Sequence, residues 1–385
     1  MTGLAGAGCV AGARLRVYRR RGVMLLLLSF LSACSPRLAP AGPEATDPFV
    51  VWNDPERRAA GRIDRAKPAV TPVDPTDEWL SARALAAIQA HPPARGAFTA
   101  DDGLVLPLWA WLPDRPRGVI LAVHGFTDYA NAFAAVAPLW ADAGYAVYAF
   151  DQRGFGAAPN RGLWAGTQRM IQDLRNLARV VRGGHPDLPL FLLGESMGGA
   201  VVLVEQARPG ALRADGVILS APAVWSRDTQ PWYQRAGLWL AVRLAPGLAP
   251  DSSGVKIRIS DNDAMLRALS RDPLVQKSSR IDRLAGLVDL MDAARLSAAR
   301  QRAPLLLLYG QKDQVIPARP SQLFWAALPA GGKARLALYP QGWHLLLRDL
   351  QAERVADDIL AWLGDPGASL PSGAEAQAVI PELED

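Results

Sequence analysis

Thiols, long apolar runs and net charge are what this 385-residue chain has least of. Its two cysteines, Cys9 and Cys34, are too few for a thiolate zinc site, and once the first leaves with the leader described below no internal disulfide is possible. The apolar run from Met24 to Phe30 falls well short of the about 20 residues that a membrane-spanning helix needs. Acidic residues are missing from the first 33 positions, which carry Arg14, Arg16, Arg19, Arg20 and Arg21. Those five arginines are the whole excess of 42 basic over 37 acidic residues. The rest of the chain is therefore neutral, and its charge gives no support for a nucleic-acid partner.

Arginines followed by a short apolar run make a secretory leader. It ends in Leu31-Ser32-Ala33-Cys34, which resembles the lipobox of bacterial lipoproteins, whose cysteine is lipidated and becomes the mature N-terminus. An ordinary signal peptide followed by a chance cysteine is the alternative. On the lipobox reading residues 1–33 are a signal peptide and Cys34 anchors the protein to a membrane, facing the periplasm. Ser35, directly after it, suits the outer membrane. Residues 34–96 hold many prolines, among them Pro36, Pro48 and Pro75, with little periodicity, and read as a tether. A short helix through Trp79, Leu80, Leu85 and Ile88, capped by Thr76 or Asp77, ends that tether.

Residues 97–365 read as one large domain. Apolar stretches at 104–112, 119–123, 146–150, 190–193, 217–219, 305–309 and 334–339 predict strands, most of them buried on both faces. Helical spacing falls between them at 131–143 and 167–182, and a last helix at 355–363 closes the series. Strand and helix alternate, which predicts an α/β fold with a mostly parallel, doubly wound sheet. From about 223 to 303 no convincing strand occurs, so this interval is expected to be a helical cap inserted over the sheet. Within it, Trp232–Leu244 at helical spacing places Tyr233, Leu240 and Leu244 on one side and Arg235, Trp239 and Arg243 on another. A face that mixes cations with tryptophan suits a bilayer surface; an ordinary solvated stripe on a cap helix is the other reading. Residues 366–385 are expected to be a loose, disordered acidic tail.

Candidate chemistry centres on 188–207. An apolar run enters Gly194-Glu195-Ser196-Met197-Gly198, and a helix-length apolar run leaves it. A serine on so sharp a strand-to-helix turn needs residues without side chains two before and two after it, which Gly194 and Gly198 supply. The new helix points its first amide and its positive dipole end at an oxyanion formed by Ser196. Serine needs a base, and the base an orienting acid. Of the four histidines, His91 precedes two prolines in the tether, His185 enters the serine strand from the wrong edge, and His124 ends a strand as a turn residue. His344 follows the last strand at the correct edge and is the candidate base. Asp313 follows the strand at 305–309 at that edge and is the candidate acid.

Several segments together carry a resemblance: Phe191-Leu-Leu-Gly-Glu-Ser-Met-Gly-Gly-Ala200, His124-Gly-Phe126, Phe150-Asp-Gln-Arg-Gly-Phe-Gly156, Arg271-Asp-Pro-Leu274, Gly310-Gln-Lys-Asp313 and Gly342-Trp-His344. From about Phe98 to Leu363 the chain resembles the monoacylglycerol lipase and lysophospholipase branch of the α/β hydrolases. The resemblance implies an oxyanion hole from the amides of Phe126 and Met197, with Asp151 as a structural aspartate. Glu195 stands where many members have histidine. A lipid-anchored serine hydrolase of single-chain lipid esters is the resulting expectation, with no metal or organic cofactor. Monoacylglycerol is placed ahead of lysophospholipid, because the sheet edge is expected to supply few charged groups to hold a phosphate while Trp225, Trp232, Tyr233, Trp239, Leu240 and Leu244 offer an apolar wall. An esterase, thioesterase or peptidase on other small substrates, and a non-catalytic lipid-binding lipoprotein, are the alternatives.

Overall fold

The computed structural model describes residues 79–250 and 257–375. Eight strands form one sheet: β1 (Ala94–Thr99), β2 (Val105–Trp111), β3 (Gly118–Val123), β4 (Tyr145–Phe150), β5 (Leu190–Glu195), β6 (Gly216–Ser220), β7 (Leu305–Gly310) and β8 (Ala334–Tyr339). Their order across the sheet is β1-β2-β4-β3-β5-β6-β7-β8. The pairings of β1 with β2 and of β2 with β4 are antiparallel, and all the others are parallel. This is the expected doubly wound α/β-hydrolase sheet with a helical insertion.

Side chains alternate across a strand, so an unbroken apolar run must be covered on both faces. Val119, Leu121 and Val123 of β3 pack on one side under α3 (Thr167–Gly184), α4 (Met197–Gln206) and α7 (Ile281–Leu296). Ile120 and Ala122 pack on the other under α2 (Ala137–Asp142) and α9 (Ala352–Gly364), where Trp140 and Trp362 are fully buried. Helix α3 shows the match of pattern to burial: Met170, Ile171, Leu174, Leu177 and Val181, picked out by spacing, all face the core.

The structure also departs from the pattern reading. The stretch 131–143 is not one helix. It is a 3-10 turn (Ala130–Phe133) followed by α2, whose first turn holds Pro138. Proline is tolerated there and not further inside a helix, which divides the stretch. Strand β1 was not anticipated, because Ala94-Arg-Gly-Ala-Phe-Thr99 has one large apolar residue and pairs on one side only. The boundary expected at 96/97 falls inside it. Helix α1 (Ala82–Ala90) starts at Ser81, whose hydroxyl accepts from the Ala84 amide, rather than at Thr76 or Asp77, which lie outside the described residues with Cys34 and the leader. A helix between the Asp313 loop and β8, α8 (Ala318–Ala326), was likewise missed.

Residues 366–375, expected to be loose, are packed in place. Leu370 is buried, the Leu338 amide donates to the Ala374 carbonyl at 2.7 Å, and Ala337 bridges to Glu375 in antiparallel fashion. Apolar contact and backbone pairing with β8 override the polar composition that suggested a tail.

Between β6 and β7 the cap contributes α5 (Trp232–Leu244), α6 (Asp263–Arg271) and α7, with no strand among its described residues. No residue of α5 is buried. Trp232, Tyr233, Trp239, Leu240 and Leu244 are 76, 60, 58, 50 and 61 % exposed, so they form an outer surface and not the inner wall expected of them. Trp225 alone of that set packs against the core.

Candidate active site

Ser196 sits between β5 and α4 with φ 51° and ψ −114°, a backbone conformation that side chains resist. The surrounding glycines are required by contact. A Cβ on Gly194 would lie 2.5 Å from the Gly199 Cα, and one on Gly198 only 1.9 Å from the Val123 carbonyl oxygen. Two further bonds hold the turn: the Ser196 amide donates to the Ser220 carbonyl and the Ala223 amide to the Ser196 carbonyl, both at 2.9 Å.

The loops after β7 and β8 bring Asp313 and His344 to this serine. His344 Nε2 lies 3.0 Å from Ser196 Oγ, and His344 Nδ1 lies 2.8 Å from Asp313 Oδ2. Asp313 Oδ1 accepts from the amides of Val315 and Ile316 at 2.7 and 3.0 Å, which fixes the carboxylate. An ionised carboxylate can only accept, so Nδ1 carries the imidazole proton and Nε2 is free to take one from the serine hydroxyl. Burial pushes the His344 pKa down, but Asp313 and then Glu195 outweigh it, and the net shift is upward. The three residues proposed from sequence are thus in one hydrogen-bonded line, all buried.

The loop after β3 passes directly beside the serine, where a Cβ on Gly125 would lie 3.4 Å from the Ser196 Cβ. Among the described residues the amides of Phe126 and Met197 donate to no protein acceptor, which leaves both for an oxyanion. His124 shapes this loop. Its Nδ1–H donates to the Gly125 carbonyl at 2.8 Å, its Nε2 accepts from the Gln152 amide at 3.0 Å, and burial holds its pKa down at about 4. Asp151 accepts from the amides of Ala130 and Ala157, bracing the same region, while burial raises its pKa to about 6. His91 and His185 are remote in role: the first caps α1, and the second caps α3 and contacts Tyr148.

Charge at this edge is not scarce, contrary to the sequence reading. Arg348 Nη2 bridges Glu195 Oε1 at 2.8 Å and Asp128 Oδ2 at 2.7 Å, with all three side chains buried. Burial pushes the Glu195 carboxyl up and Arg348 opposes it. Arg283 on α7 is also fully buried, stacked on the ring of Phe126. Arg348 and Asp128 each stand four residues beyond a histidine, in loops at the active edge, which was the only sequence signal for them. Among the described residues no group of three or more metal-ligating side chains occurs.

Comparison with known proteins agrees with this geometry. The profile of the family described as serine aminopeptidase, S33 matches residues 114–351. A monoacylglycerol lipase of Mycolicibacterium smegmatis is 31% identical over 271 residues, covering 69% of this chain and 95% of that protein. Mouse monoglyceride lipase is 26% identical over 282 residues, 71% of this chain and 91% of the relative. Among solved structures, Paleococcus ferrophilus monoacylglycerol lipase superposes with a TM-score of 0.58 at 25% identity, over 68% of this chain and 99% of its own. With its sheet, its serine turn and these similarities on one continuous stretch, the chain belongs to the serine aminopeptidase S33 family, in the monoacylglycerol lipase and lysophospholipase branch of the α/β hydrolases, and is an ester hydrolase.

Proposed function

We propose that this protein is a lipid-anchored serine hydrolase that cleaves carboxylic esters of single-chain lipids through an acyl-enzyme. The observation that carries the mechanism is the line Ser196, His344, Asp313 at 3.0 and 2.8 Å, starting from a strained serine. His344 Nε2 takes the hydroxyl proton as Ser196 Oγ attacks the ester carbonyl, and the amides of Phe126 and Met197 receive the oxyanion. Collapse of the tetrahedral adduct expels the alcohol, which leaves with the proton from Nε2. Water then attacks the acyl-serine by the same route and frees the fatty acid. Asp313 holds the imidazole in the tautomer this requires.

Similarity to monoacylglycerol lipases supports a lipid ester as substrate. The outer face of α5 supports work at a membrane: Trp239 stacks with Arg243 at 3.8 Å, and Trp232, Tyr233 and Leu244 stand exposed beside Arg235. Such a helix lies in the interface between headgroups and acyl chains. Cys34, outside the described residues, supplies the covalent anchor in this reading. A panel of acyl esters from acetyl to long chain, assayed on the soluble domain, tests it. Each methylene taken into the site adds up to about 0.8 kcal/mol, so kcat/KM rises from acetyl toward medium or long chains. A serine-directed fluorophosphonate labels wild type and not Ser196→Ala. A maximum at acetyl or aminoacyl substrates would transfer the assignment to a small-ester esterase or peptidase.

A further inference from the structure

The two amides assigned to the oxyanion lie on different segments. Phe126 belongs to the loop after β3, and Met197 opens α4. Two residues past the first stands Asp128, two residues before the second stands Glu195, and four residues past the base His344 stands Arg348. One atom joins all three segments: Arg348 Nη2 lies 2.7 Å from Asp128 Oδ2 and 2.8 Å from Glu195 Oε1. Glu195 Oε2 has no partner, so among the described residues Arg348 is the only group that bonds this carboxylate.

The loop that carries Phe126 needs holding. It turns between Gly125 and Asp128, whose amide donates to the Gly125 carbonyl at 3.4 Å, and Thr127 inside the turn has φ 69°. A β-branched side chain resists that conformation, which persists only where the surroundings impose it. The cap imposes it from one side: the Gln276 amide donates to the Thr127 carbonyl at 2.9 Å, and Tyr129 Oη donates to Asp272 Oδ2 at 2.7 Å. Toward the serine strand the tie is the Asp128 side chain, with Oδ2 on Arg348 and Oδ1 accepting from the Tyr129 amide at 2.9 Å. Stability does not account for this arrangement. Two carboxylates and a guanidinium taken out of water together recover little net energy, and apolar residues of similar volume often pack in such a place at no loss.

We propose that Arg348 is a positioning residue that sets the spacing of the two oxyanion amides, locking the Phe126 loop through Asp128 to the serine turn through Glu195. The oxyanion exists only once the serine has attacked, so both amides have to be in place before it forms. A loop free to relax at Thr127 would carry the Phe126 amide away from that point, and a misplacement of about 1 Å costs on the order of a hundredfold in rate. The inference rests on the serine hydrolase reading and adds three residues that act through the two amides.

The test is steady-state kinetics on a soluble p-nitrophenyl acyl ester for wild type, Asp128→Asn, Arg348→Met and Arg348→Lys, with melting midpoints for each. Asp128→Asn leaves Arg348 paired with Glu195 and keeps an acceptor for the Tyr129 amide, yet cuts the charged tie to the loop. It lowers kcat about ten- to a hundredfold and changes KM by less than about threefold, because the loss falls on the transition state. Burial apart, the charges that act most on His344 are Asp313, Glu195 and Arg348, so the acid limb of the pH profile stays where wild type has it. A trifluoromethyl ketone of the same acyl chain adds a second reading. Ser196 Oγ attacks its carbonyl to give an anionic hemiketal while His344 takes the proton, and Asp128→Asn weakens this inhibitor by the factor it takes from kcat/KM. A lowered melting midpoint with kcat and inhibitor affinity unchanged would make the triad a structural tie only and overturn the proposal, as would a loss confined to KM or a shifted acid limb. Arg348→Met leaves two buried carboxylates unpaired and loses at least as much kcat; Arg348→Lys, whose ammonium can still donate to both, recovers part of it, and a lysine variant no better than methionine counts against the clamp. Where Arg348→Met fails to fold, Asp128→Asn decides alone. Wild type inactive on every ester would instead refute the serine hydrolase reading.

Discussion

Replacing Ser196 by glycine should remove activity and leave the protein more stable than replacing it by alanine. Alanine at this position is the control. Both substitutions delete Oγ and its contact with His344, but alanine keeps a Cβ and with it the conformation at φ 51° and ψ −114°, whereas glycine adopts that region freely. Strain of this kind is worth about 1–3 kcal/mol. Glycine gives back about 0.5–1 kcal/mol through the entropy of the unfolded chain. The glycine variant is thus expected to exceed the alanine variant by up to about 2.5 kcal/mol, the difference of those two ranges. At about 2–4 °C per kcal/mol for a large domain, that corresponds to a melting midpoint up to about 10 °C higher. Scanning calorimetry on the two variants measures it, with turnover confirmed absent in both. At an ordinary position glycine would melt lower than alanine. A glycine variant that melts at or below the alanine variant would show that the turn stores no strain and that its geometry is carried by the packing of Gly194 and Gly198 alone.

Asp313→Asn should lower kcat by about 10⁴-fold with little change in melting, because an amide nitrogen facing Nδ1 forces the wrong imidazole tautomer; a loss below about tenfold would remove Asp313 from its role. His344 has to be neutral to accept the serine proton, so kcat/KM falls as pH drops through its pKa. That pKa is raised from 6.5, and the acid limb should therefore be centred above 6.5. Glu195→Gln removes one of the charges that raise it and should move the limb toward lower pH; an unmoved limb would show that Glu195 does not act on His344. On the membrane side, Trp239→Ala should reduce hydrolysis of lipid in vesicles more than that of a soluble short ester, and Cys34→Ala should release the protein from the membrane fraction. Equal effects of Trp239→Ala on both substrates would place α5 away from the bilayer.

The central strands and the serine turn were legible in sequence because their constraints are local. A run such as Val119 to Val123 has one compatible environment, and Gly194-Glu-Ser196-Met-Gly198 admits few conformations. Asp313 and His344 could be found because strand order puts the loops after β7 and β8 at one edge. What stayed hidden depends on pairing across long separations. Edge strand β1 is stabilised by its partner and not by its own residues. The bridge from Glu195 through Arg348 to Asp128 spans three loops, and the direction in which α5 presents its tryptophans is set by how the cap seats on the sheet. Composition correctly identified the cap residues as apolar and aromatic but could not say which way they point.

The last ten described residues have a consequence for association rather than for chemistry. An outermost strand offers a row of unsatisfied amides and carbonyls that a second chain can use as a template. β8 is such a strand, and on its free side the Leu338 amide is taken by Ala374, Ala337 is bridged by Glu375, and Leu370 seals the apolar surface below. Residues 366–375 thus act as a sacrificial neighbour, filling the place that another copy would otherwise take. A protein ending at Gly364 would retain Ser196, Asp313 and His344 and lose this guard, so its weakness would be self-association through β8 while the hydrolytic centre stayed whole.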